Sequence, residues 1–171
     1  MSALFVLATL VQPVCGPVAE ISYADESPAD VLVLRNTGDP EWRIQTAEIL
    51  LQGSAGRLIF DTRPGGPGSQ TAQPFRPGAG DAVLANPPDL ADGAEALTLS
   101  FERFPAGARF VFTTDLDDRV SGAYAGTRVA GAEIAGATLE VTFVNARGWI
   151  ETHSGRFDDQ AEARAAAPCV S

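Results

Sequence analysis

The segment TTDLDDR at residues 113–119 puts Asp115, Asp117 and Asp118 directly behind RFVF, one of the clearest strand signals in the chain. Like charges this close repel, and two arrangements accommodate them: water around a strand-to-loop junction, or a cation shared between them. Residues two apart on a strand point the same way, about 6.5–7 Å apart, so Asp115 and Asp117 can lean toward one ion. Asp118, where the strand is expected to give way to a turn, can swing to the same point. Calcium takes six to eight oxygens at roughly 2.3–2.6 Å in loose geometry, which suits ligands drawn from a strand end and its loops; magnesium is stricter and dehydrates reluctantly. Glu133 in GAEIAGA and Asp61 in LIFDT are the further candidate ligands, and both also read as exposed loop acids. An EF-hand loop is excluded: counted from Asp115, Val120 stands where the loop needs Gly and Gly126 where it needs Glu.

Catalytic chemistry is poorly supplied, and the chain is expected to be non-enzymatic. Its one histidine, His153, lies in the turn-like ETHSG, and no G-x-S-x-G elbow accompanies it. All 12 basic residues are arginines, which removes P-loop, Schiff-base and Lys–Asn isopeptide chemistry together. Cys15 and Cys169 form no CxxC or Cys/His ligand spacing, so zinc is not expected. A net charge of −10 argues against nucleic acid, whose phosphates need a basic face. Trp42 and Trp149 read either as core packing or as a stacking platform for sugars.

The elements that must position these residues are strands. Leu97, Leu99 and Phe101 alternate on one face, as do Leu139, Val141 and Phe143. Period-two patterning means one buried and one solvated face, the pattern of antiparallel sheets. Short runs such as AEISY, VLVLRN, AEILL, RLIFD and GWIETHSG recur between Gly, Pro, Asn and Asp at intervals of about ten residues, which predicts an all-β antiparallel β-sandwich of jelly-roll or immunoglobulin-like topology. Residues 1–171 are read as a single domain. The Pro/Gly-rich stretch 63–80 then becomes a long surface connection in which TAQPF looks strand-like. The tail DDQAEARAAAP fits either a short capped helix or a last Ala-rich strand.

The N-terminal region, residues 1–16, contains the uncharged run LFVLATLV at 4–11, too short to span a bilayer. It reads as a strand, with a processed signal as the alternative, since the basic n-region of a signal peptide is missing. As a strand without an evident partner it could pair with a neighbouring copy's sheet edge. A bridge between Cys15 and Cys169 would close a long loop and stabilise by about 4–5 kcal/mol in the chain-entropy account; two free thiols, or pairing between copies, are the alternatives. No run elsewhere approaches transmembrane length, so the chain is not expected to span a membrane.

Taken in order, LRNTGD, LQGSAGRLIFDT, ADGAEALTLSFERFPAGARFVFTTDLDDR and GAEIAGATLEVTF resemble the core domain of the sponge aggregation factor, over residues 19–144. The resemblance implies a secreted or cell-surface β-sandwich used in calcium-dependent adhesion, with copies of itself as partner. Asp61, Asp115, Asp117, Asp118 and Glu133 all fall within the matching segments. An alternative of the same architecture is a carbohydrate-binding module that recognises surface glycans and carries a structural Ca2+.

Overall fold

The computed structural model describes residues 16–26, 28–118, 129 and 131–167. Cys15, Cys169 and the apolar run 4–11 lie outside the described residues. Within them the strands are β1 (Val18–Ala24), β2 (Asp30–Asn36), β3 (Trp42–Leu50), β4 (Leu58–Phe60), β5 (Arg76–Pro77), β6 (Val83–Leu84), β7 (Ala96–Arg103), β8 (Arg109–Thr114), β9 (Leu116–Asp118), β10 (Thr138–Asn145), β11 (Ile150–Arg156) and β12 (Glu162–Ala166). One sheet runs β12-β1-β2-β8-β5 and the other β11-β10-β3-β7-β6, while β4 and β9 make a small third ladder. Every pairing is antiparallel. The chain is an antiparallel β-sandwich, as the alternation predicted.

The two large sheets face each other across one continuous apolar core. Along β7, Leu97, Leu99 and Phe101 point inward while their neighbours face solvent. Leu139, Val141 and Phe143 of β10 do the same, and Ile21, Leu32, Leu34, Ile44, Phe110 and Phe112 complete the middle of the core. Each such side chain contributes about 1.5–3 kcal/mol by leaving water, so alternation at this density fixes which face of every strand turns inward.

The two long edges of the sandwich differ. On one, β11 of the second sheet passes directly into β12 of the first. The turn between them is held by Asp158, whose Oδ1 accepts from the amides of Gln160 and Glu162, and whose own amide donates to the Glu162 carbonyl. Gly155 is required at this passage, because a Cβ there would collide with the Arg164 backbone. On the other edge, β5 and β6 have only two residues each. The segment 76–85 crosses between the sheets here, bonding first to Val111 and Arg109 and then to Ser100.

Four sequence expectations are refined. The ladder beside TAQPF forms at Arg76–Pro77, one step later, with Phe75 half-buried against the core; proline is tolerated because β5 is an edge strand. The Ala-rich tail is a strand, since its small side chains at Ala163 and Ala165 fit the buried side of β1's ladder. His153 sits within β11 rather than in a turn, its Nε2 2.9 Å from Glu151 Oε2. Asp118 stands at a strand's end, as expected, but that strand is β9, begun after the break at Asp115 and paired at Leu58.

Substituting Gly155→Ala is expected to destabilise by about 1–3 kcal/mol through overpacking against backbone atoms that cannot rotate away. Urea unfolding measures it against Gly131→Ala, whose new methyl would meet only the Ala161 side chain at ordinary contact distance. Equal stability of the two variants would contradict the close crossing.

Candidate metal centre

The acids gather where the first sheet hands its chain to the small ladder. β8 ends at Thr114, Asp115 makes the break, and β9 carries Leu116 and Asp117 on to pair with Phe60 and Ile59. The pairing extends one step further: the Asp61 amide donates to the Asp115 carbonyl at 2.9 Å. Two acids more than fifty positions apart in sequence are thereby set side by side.

Asp61 is the hub. It is fully buried, its Oδ2 accepts from the Ser69 amide at 2.6 Å, and its Oδ1 is buried without a hydrogen-bond partner. The loop after it, RPGGPGS, folds back over the carboxylate, and Gly68 lies so close to it that a Cβ would strike the Asp61 side chain. Gly66 likewise makes room for the carboxylate of Asp92. Asp92 Oδ1 accepts from the amides of Thr62 at 2.8 Å and Arg63 at 3.1 Å. On the far side of Asp115 stands Asp30, buried at the start of β2, with Oδ2 accepting from the Leu116 amide at 2.9 Å. Asp117 is buried as well, and its Oδ1 accepts from the Asp118 amide at 3.0 Å.

Crowding and burial move these groups together. Asp115 is raised to about 7, first by burial and then by the charges of Asp30, Asp61 and Asp117. Asp30 is raised to about 6, chiefly by burial, against the opposing hydrogen bonds from Leu116 and Tyr23. Asp61 is raised by burial first, with Asp92 and Asp117 adding repulsion, while the Ser69 amide pulls the other way. The Tyr23 hydroxyl is pushed well above its usual range by burial and by Asp30, and it donates to the Val129 carbonyl at 3.4 Å. These directions all say the same thing: negative charge is held here at a cost.

Asp61, Asp115 and Asp117 are thus brought to one neighbourhood. Asp118 is half-buried beside it, opposite Leu58. Glu133 lies on a 3-10 helix (Gly131–Ile134), where its carbonyl accepts from the Gly56 amide at 2.9 Å. That ties Glu133 to the turn before β4, whereas Asp61 follows the end of β4. Among the described residues no three acidic, histidine or cysteine side chains converge into a ready-made cage. What is present is a donor set of hard carboxylate oxygens with one buried oxygen unpartnered, which fits a hard cation such as calcium and not a thiophilic metal.

Sequence reasoning missed Asp30 and Asp92. Asp30 opens a strand after SPA, and Asp92 sits in ADGA, which reads as an ordinary turn. Neither carries a local mark of the neighbourhood it joins. Comparison with known proteins finds no matching family model, curated protein or solved structure.

A pH dependence follows from the raised carboxyls. Unfolded aspartates titrate near 3.9, so between roughly pH 4 and 7 the native state binds more protons than the unfolded state through Asp30 and Asp115. Stability of the metal-free protein must fall as pH rises through that window, and the full penalty stands above it. Thermal melts in chelator from pH 4.5 to 7.5 should show a descending Tm, with a shallower descent in Asp115→Asn. A Tm that climbs through the window would refute this reading of the cluster.

Proposed function

We propose that the chain is a non-enzymatic, calcium-braced β-sandwich that self-associates outside the cell. The observation that carries the reading is the Asp61 Oδ1, buried without a partner among Asp115, Asp117 and Asp92. An unsatisfied buried carboxylate oxygen costs several kcal/mol unless a proton or cation meets it. Asp61, Asp115 and Asp117 would hold the ion, with the charge of Asp92 beside Asp61 and that of Asp30 beside Asp115. A bound divalent ion supplies positive charge at the one place where the fold concentrates negative charge. It also fixes the loop at 62–69 against the end of the small ladder.

Self-association and an extracellular setting are supported by the resemblance of residues 19–144 to an adhesion domain, and the net charge of −10 would make association depend on cations. Copies this acidic repel one another at low ionic strength, and divalent cations reduce the repulsion. A second reading, the carbohydrate-binding module, is favoured by one observation. Trp149 is 61% exposed at the β10–β11 hairpin, with the Arg147 guanidinium 5.7 Å from its ring centroid. Trp42, by contrast, is buried in the core and cannot stack on a ligand.

Calcium at one hundred times its Kd should stabilise the fold by about 2.7 kcal/mol. Calorimetric titration and thermal melts are expected to show saturable calcium binding with a raised Tm, lost in Asp61→Asn, and a weaker response to magnesium. Light scattering with calcium and then with EDTA reads assembly in the same samples. No binding heat and an unmoved Tm would sink the metal reading; glycan-array binding abolished by Trp149→Ala, without any change in size, would favour the module.

A further inference from the structure

The edge of the sandwich carrying β5 and β6 holds an open cleft of about 750 Å³. Phe75 and Phe110 form its floor, with Leu84 and Leu90 beside them, and the prolines 87 and 88 bound it along the return loop. Phe75 also packs its ring 5.4 Å from that of Phe112, so the floor is continuous with the core. Val83, at the rim, is 40% exposed, one of few large apolar side chains so placed among the described residues. Among the described residues, two two-residue strands leave this edge only lightly covered. An exposed apolar edge of this kind is a site for an added chain segment.

We propose that the cleft takes residues 4–11 of a second copy of the chain, an exchange that links copies in series. The proposal rests on the self-association reading above and names its interface. Three features choose this occupant. The run LFVLATLV carries no charge and no Pro or Gly, and eight consecutive positions without a charged side chain suit a segment buried on both faces rather than an alternating surface strand. The cleft, lined by phenylalanine, leucine and proline, offers apolar surface to match.

The third feature is reach. The described chain begins at Gly16, at the head of β1, three strands from β5 in the first sheet. Three strand spacings are about 14 Å, and the mid-plane between the sheets adds about 5 Å. The five steps from Gly16 back to position 11 span at most about 17 Å when fully extended. A copy's own segment could enter its own cleft only with those five residues drawn out almost straight, and a neighbour's is not so constrained.

The test uses the full chain with Cys15→Ser and Cys169→Ser, which removes covalent linkage, beside the same protein lacking residues 1–13. Size-exclusion chromatography with light scattering in calcium is expected to show oligomers for the first and monomers for the second. A synthetic peptide of residues 2–12 with a lysine tail should bind the truncated protein saturably, at least tenfold more weakly after Val83→Glu. That substitution sits on the rim and leaves the core intact. Oligomers that persist after truncation would overturn the interface while leaving self-association standing. A monomeric full chain whose truncated form binds the peptide would show a segment filling its own cleft and overturn the exchange. A monomeric full chain with no peptide binding would remove both readings together.

Discussion

A single backbone hydrogen bond, from the Asp61 amide to the Asp115 carbonyl, obliges this fold to hold carboxylates together away from water. It extends the β4–β9 ladder past its last paired residue and brings the end of one strand against the break in another. Asp61, Asp115 and Asp117 follow, and the strand pairings around them deliver Asp30 and Asp92. Coulombic repulsion between half-buried charges is not small: at about 4 Å and an effective dielectric of 20 a pair costs about 4 kcal/mol. The marginal stability of a domain, about 5–15 kcal/mol, cannot absorb several such pairs. Either protons or a cation can relieve the charge: Asp115, raised to about 7, still holds a share of protons near neutrality and loses it as the pH rises further.

The surrounding sequence is shaped by that demand. The Pro/Gly-rich stretch after Asp61 looks like a flexible connection, yet two of its glycines are fixed by contact. Gly68 lies against the Asp61 carboxylate and Gly66 against that of Asp92, with no room for a side chain at either. The loop is therefore a lid of backbone over charge: the Ser69 amide and the amides of Thr62 and Arg63 all donate into it. Amides stabilise carboxylates without adding a countercharge, so they orient the oxygens and leave the electrostatic problem open. The unpartnered Asp61 Oδ1 is where that remainder sits.

The fold was largely legible in the sequence because burial imposes a period, and β1, β2, β3, β7, β8 and β10 all wear it openly. What escaped were elements set by partners rather than pattern. β5 and β6 are strands only because β8 and β7 offer them an edge, and the Ala-rich β12 is a strand because β1 needs a neighbour with small side chains. The site divides the same way. Asp61, Asp115 and Asp117 stood at apolar strand ends and were found; Asp30 and Asp92 enter through pairings about 85 and 30 residues long in sequence, which no local spacing encodes. Glu133 follows the aspartates in sequence, and the 3-10 helix that carries it is anchored to the opposite end of β4 from Asp61.

The acidic cluster and the apolar cleft are not separate features of the surface. Asp92 faces Asp61 with its charge and, through Oδ1, holds the backbones of Thr62 and Arg63; both of those residues also line the cleft. Whatever sets the position of the Asp92 carboxylate therefore sets one wall of the cleft. Asp61 and Asp92 repel each other, and the amides of 62 and 63 hold the Asp92 carboxylate in place against that repulsion. Rigid walls lower the ordering cost of accepting an extended segment, and the two residues that Asp92 Oδ1 holds are shared between the acidic cluster and the apolar edge.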